Sequence, residues 1–161
     1  MKSEERLRQQ LVDTLGGHGA HIDFDSVVKN FPAELRGKKA GGLPHTAWQL
    51  LEHMRIAQED ILEFCTSLQY QERKWPDDYW PPDPAPPDSM AWDKAIKAFR
   101  HDLKQMQDLI ADPERDLYAP IPHGDGQTLL REALLVIDHN SYHLGQLVGV
   151  RQQLNIWPAP K

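Results

Sequence analysis

The stretch "YQERKWPDDYWPPDPAPPDS", residues 70–89, carries six prolines and cannot be helical. It interrupts a chain whose apolar residues otherwise recur at helical spacing, over about 3–15, 46–68, 90–111 and 128–154, with a short helical piece near 25–36. No segment shows a sustained strand alternation, so the pattern predicts an all-α fold. A proline-rich chain of roughly 20 residues at ~3 Å each reaches ~60 Å. A helix of ~23 residues is only ~35 Å long. The linker is therefore long enough to return along the whole bundle and let the second and third long helices run in the same direction. That is a crossover four-helix bundle, not a simple up-down-up-down one. Trp75, Tyr79 and Trp80 are expected to pin this linker to the bundle.

Local signals place the helix ends. "TAWQ" reads as a capping box, with Thr46 as N-cap and Gln49 three residues on, and Pro44 lies just outside. Ser89 is the expected N-cap of the third long helix, and the fourth follows the glycine-rich turn "HGDG". The 161 residues fit one compact domain, 1–161. The net charge is -6 and Lys and Arg are scattered. A nucleic-acid partner is not expected, because meeting phosphates needs a basic stripe. The single cysteine, Cys65, permits neither an internal disulfide nor a cysteine-based metal cluster, and packing is its expected role. "MKSEERLRQQLVDTL" is charged and lacks the apolar centre of a signal peptide. No apolar run reaches membrane-spanning length. A cytoplasmic protein without membrane partners is the expectation.

The chemistry-bearing residues are histidines. In "DHNSYHLGQL", residues 138–147, His139 and His143 stand four apart and so project from one face of a helix. Two imidazoles at that spacing can converge on one divalent ion at roughly 2 Å each. Two hydrogen-bonded core histidines would have the same spacing. The best third partner is His53 in "LLEHMRIAQEDILEF", whose helical face also carries Leu50, Ala57, Ile61 and Phe64. Were the second and fourth long helices antiparallel, all three rings would lie near one height. Asp60 shares the His53 face two turns away; it could stand behind the site but reads better as a bundle-end charge. His45 in "LPHT" and His123 in "IPHGDG" sit in loops where they could rim a pocket. Gln146 and Tyr142 lie near the histidine pair and could act beside it. His18, His21 and His101 read as solvated. The reverse face of the fourth helix carries Leu134, Ile137, Ser141 and Leu144. With no outer layer to cover it, a homodimer through that helix is expected.

"LPHTAWQLLEHMRIAQEDILEF", "PIPHGDGQTLLREAL" and "DHNSYHLGQLV" together resemble the DinB-like (damage-inducible) superfamily, a likeness spanning most of the chain. The resemblance implies up-down-down-up topology, frequent homodimers and a divalent metal, zinc or nickel foremost, held by His53, His139 and His143. It also implies either transfer chemistry with a low-molecular-weight thiol as co-substrate or metal-dependent hydrolysis of a small molecule. Three imidazoles leave coordination positions open, which suits catalysis more than a closed structural site. A bound ion could present a thiolate or a hydroxide. The helical zinc-protease motif is ruled out, because Asn140 stands where that motif needs Glu, and Glu132 is two turns away. Thiol transfer is the leading expectation. Hydrolysis and a non-catalytic metal-binding bundle are its alternatives.

Overall fold

The structure, a computed structural model, describes residues 3–158. Five α-helices form it: α1 (Ser3–Leu15), α2 (Phe24–Val28), α3 (Ala47–Thr66), α4 (Ala91–Ala111) and α5 (Leu129–Gln153). Among the described residues there is no β-strand, only an isolated bridge between Pro120 and Thr128. None of the described helices is long and apolar enough to cross a membrane.

The helix starts follow capping chemistry. Thr46 accepts from the Gln49 backbone N–H while Gln49 reaches back to the Thr46 N–H, the reciprocal box its sequence predicts. Thr128 caps α5 through the Arg131 N–H. Ser89 does not cap α4. The N-cap is Met90, which makes no side-chain cap bond, and Asp88 Oδ1 accepts the Met90 N–H instead. The turn closed by Asp88 starts the helix one residue later than Ser89 would.

Two apolar clusters make the core. The first gathers Trp48, Leu51 and Met54 from the first half of α3, Trp92, Ala95 and Phe99 from the first half of α4, and Leu144, Leu147 and Val150 from the second half of α5. Phe24, Val27, Val28 and Phe31 close it. The second joins Leu11 and Leu15 of α1 to Met106 and Ile110 of α4 and to Leu129, Ala133 and Val136 of α5. Between the clusters a buried amide ties three helices together. Gln58 donates to the Phe99 carbonyl at 2.7 Å and accepts from Asn140 Nδ2 at 2.9 Å. The face of α5 expected to lack cover is partly covered within the chain. Leu144 is buried in the first cluster and Ile137 packs on the second, because α1 and α4 lie over them. Leu134 alone of the four is well exposed, at 51 %.

Buried guanidinium groups close two helix ends, where the last carbonyls lack helical partners. Arg8 of α1 donates to the carbonyl of Ile110 in the last turn of α4 and to those of Asp112 and Arg115 just beyond it. Arg151 of α5 does the same for Val27 and Lys29 at the end of α2.

The proline-rich linker retraces α3 from its last turns to its first. Arg73 pairs with Glu59 at 2.8 Å, Tyr70 and Tyr79 both reach Asp60, Trp80 lies on His53, and Thr46 Oγ1 donates to the Pro84 carbonyl at 2.6 Å. Near its end Ala85 presses so closely on Gly37 that any side chain at position 37 would collide with it. Thr46 therefore holds both the start of α3 and the linker. Thr46→Ala is expected to cost about 2 kcal/mol in urea unfolding, one lost cap plus one lost part-buried hydrogen bond to the linker. Thr128→Ala removes a cap alone and is expected to cost about half as much.

Candidate metal centre

α3 and α5 bring together the three histidines singled out by the sequence. Their ligand nitrogens lie within 4.8 Å of one another, in the one group of three or more His, Cys, Asp or Glu among the described residues that could hold a metal ion. The seven-residue offset from the Thr46 cap sets His53 on the inner face of α3, where it is 1 % exposed. His139 and His143, one turn apart on α5, meet it from the other side, the first half-buried and the second buried. His53 Nε2 stands 3.1 Å from His143 Nε2 and 3.1 Å from His139 Nε2.

The protons on these rings decide what that spacing means. His53 Nδ1 lies 2.8 Å from the Tyr79 carbonyl, which can only accept, so Nδ1 carries the hydrogen and Nε2 of the neutral ring presents a lone pair. His143 Nδ1 donates to Gln146 Oε1 at 2.7 Å, with the same consequence. The 3.1 Å contact between His53 and His143 is therefore lone pair against lone pair. A proton on His139 Nε2 can satisfy the His139 contact but not this one. An added proton or a cation between them would relieve it. Burial opposes the proton. It pushes His53 down to about 4, with the charges of His143 and His45 adding to it against the Tyr79 hydrogen bond. It pushes His139 down to about 4, helped by His143 and His53, and lowers His143 as well. A divalent cation is the better match. Donors bonded at roughly 2.1 Å to one ion sit ~3.0–3.4 Å apart, and neutral imidazoles are good ligands for such ions.

Aromatic rings wall the site. Trp80 stacks on His53 with centroids 3.8 Å apart and planes 4° apart, and on His45 at 3.9 Å and 16°. Tyr142 turns its edge to His143 at 5.0 Å but is 64 % exposed. Of the neighbours expected from sequence, Gln146, Tyr142 and His45 thus stand beside the triad. His123 does not. It packs against Phe64 and Tyr70 and lines a separate cavity of about 410 Å³ with Asp60 and Glu132. Its loop precedes α5, so it lies at the opposite end of that helix from His143. Trp75 also departs from expectation, being 67 % exposed instead of packed. His21 is exposed but fastened to Ser141 Oγ at 2.8 Å.

One contributor is invisible in the sequence, and another is visible there only as the weaker of two readings. The Tyr79 carbonyl is a main-chain group, and no residue type announces it. Asp60, read first as a bundle-end charge and second as a residue behind the site, is buried and accepts from Tyr79 Oη at 2.6 Å and Tyr70 Oη at 3.1 Å. Cys65 is half-buried, and burial raises its thiol to about 12, so it packs without reacting. Glu132 is buried against Arg131 and takes no part in the triad.

Residues 19–147, more than half of the chain, match the family model of the DinB superfamily. The chain belongs to the DinB superfamily. No curated protein and no solved structure matches it. For this DinB-superfamily chain the three-histidine cluster is accordingly the structural feature on which a functional reading rests.

The depressed histidines give the ion-free protein a signed pH dependence. Below the ordinary histidine value of 6.5 the unfolded chain takes up protons that the folded site refuses. Stability is therefore expected to be level above about pH 7. It should fall as pH drops from 6.5 toward 4, by up to about 1.4 kcal/mol per pH unit for each histidine. Urea midpoints of chelator-treated protein across that range check this. A midpoint unchanged down to pH 4.5 would contradict the buried neutral triad.

Proposed function

We propose that the protein is a divalent-metal-dependent enzyme in which His53, His139 and His143 hold the ion, zinc or nickel foremost. Its proposed reaction transfers a low-molecular-weight thiol to a small electrophile. The observation that carries the metal reading is the 3.1 Å approach of two Nε2 lone pairs whose protons are fixed on the far side of each ring. When bound, such an ion lowers the pKa of a thiol or water taken into a remaining position. The chain's own residues do the rest. Tyr79 and Gln146 hold two rings in the ligating tautomer, and Trp80 keeps solvent off the face of His53. The half-buried side of His139 and the exposed Tyr142 leave the approach for substrate. Hydrolysis by the same site is the alternative reaction. Burial of His53 and His143 favours one rival, an ion that only staples α3 to α5.

The grouping of the two core clusters supports an up-down-down-up bundle with the long crossover between α3 and α4, one domain over 1–161. A cytoplasmic homodimer is proposed with it, through the face of α5 that carries the exposed Leu134.

Elemental analysis of the purified protein beside His53→Ala, His139→Ala and His143→Ala is the deciding test. About one ion per chain, lost in each folded variant, is expected. Cobalt(II) substitution then separates the chemistries, since a bound thiolate adds a near-ultraviolet sulfur-to-metal charge-transfer band and water does not. A cobalt spectrum indifferent to added thiols, with thiol-independent turnover, moves the reading to hydrolysis. Absence of any exchangeable position moves it to the staple.

A further inference from the structure

Asp60 lies seven residues after His53, two helical turns along the same face of α3, ~10 Å away. Tyr79 spans that interval. Its main-chain carbonyl accepts from His53 Nδ1 at 2.8 Å, and its phenol donates to Asp60 Oδ2 at 2.6 Å. Both ends of one linker residue are thus fastened to one helix, and the following residue, Trp80, lies flat on the His53 ring. Asp60 is 7 % exposed, and its other oxygen is engaged by Tyr70 Oη at 3.1 Å and Arg73 Nε at 3.4 Å. A buried carboxylate is costly unless its oxygens are matched by donors. Here the linker supplies all of those donors.

On the metal-site reading just proposed, we infer that Asp60 is a positioning residue for the ion-binding nitrogen of His53, acting through Tyr79. The carboxylate fixes the phenol, the phenol fixes the main chain at Tyr79, and that carbonyl fixes the proton on Nδ1. Nε2 is thereby left as a lone pair aimed at the other two rings. Tyr70 shares the carboxylate but has no bond to His53, so it provides the internal control. Each link is a single hydrogen bond, and among the described residues no other acceptor holds His53 Nδ1. Partners that orient a ligating imidazole are typically worth 10–100-fold in metal affinity.

Cobalt(II) titration of the ion-free full chain, followed by its visible absorption band, tests this. Tyr79→Phe keeps the ring and the carbonyl and removes only the phenol's hold on Asp60. It is expected to weaken cobalt binding about 10–100-fold while one ion per chain still saturates. Asp60→Asn should weaken binding similarly. Asp60→Asn combined with Tyr79→Phe should be no weaker than the worse single variant, because both act on one path. Tyr70→Phe should bind within about twofold of the parent, whatever it does to the melting temperature. An unchanged affinity in Tyr79→Phe, or an equal loss in Tyr70→Phe, makes Asp60 a linker anchor only and overturns this inference alone. No cobalt uptake by the unaltered chain overturns the metal reading and this inference with it.

Discussion

Loading the ion-free protein with zinc or cobalt(II) is expected to raise its melting temperature by about 8–16 °C, and His143→Leu is expected to abolish the effect. A ligand at a thousand times its dissociation constant stabilises the folded state by about 4 kcal/mol when the unfolded chain does not bind it. At this chain length each kcal/mol moves the melting temperature by about 2–4 °C. The triad joins residues 86 and 90 positions apart in sequence, so the unfolded chain cannot hold the ion by the same three donors. The second half of the prediction has an unusual sign. Without an ion, the His53–His143 contact sets two lone pairs against each other at 3.1 Å. Leucine of similar size beside His53, Trp80 and Tyr142 removes that repulsion. Ion-free His143→Leu should therefore melt no lower than the ion-free parent, as expected where a binding site is held at the expense of the fold. If the variant instead loses more than about 3 kcal/mol, the histidines are core packing and the metal reading fails.

How much of this site could be read from sequence depends on which groups carry it. His139 and His143 are legible because the 3.6-residue period puts positions four apart on one face. His53 is legible because its neighbours mark the same inner face of α3. The start of α3 is legible because Thr46 and Gln49 satisfy each other locally. The start of α4 was misassigned, since Asp88 and Ser89 both offer acceptors there and only the turn geometry chooses between them. Beyond the three rings the site is built from the linker. A carbonyl at Tyr79 and a phenol reaching Asp60 depend on the path of a proline-rich segment, and side-chain periodicity carries no information about that path. The same limit applies to the reverse face of α5. Its apolar residues suggested a partner chain, yet Leu144 is met by the chain's own Phe24 and Phe99.

Arg151, in the last turn of α5, carries a large expected penalty on replacement. In the structure it is 0 % exposed. Its Nη1 donates to the Val27 carbonyl at 2.9 Å and the Lys29 carbonyl at 3.1 Å, its Nε to the Ile156 carbonyl at 3.3 Å, and its plane covers Phe31 at 4.9 Å. Three carbonyls from two separate segments thus converge on one planar fork, and Nη2 has no hydrogen-bond partner among the described residues. Arg151→Ala leaves those carbonyls unpaired and opens a void beside Phe31. An expected loss of about 3–5 kcal/mol follows, or roughly 6–20 °C in melting temperature. Lysine retains charge but not the fork, and Arg151→Lys should recover less than half of the loss. The damage should be local. Amide exchange should quicken at residues 24–31, which Arg151 ties to α5. The His53–His143 region, reached through Gln58 and Trp80, should keep its protection and its cobalt affinity. Equal loss of protection at both places would instead mean that the bundle opens as one unit.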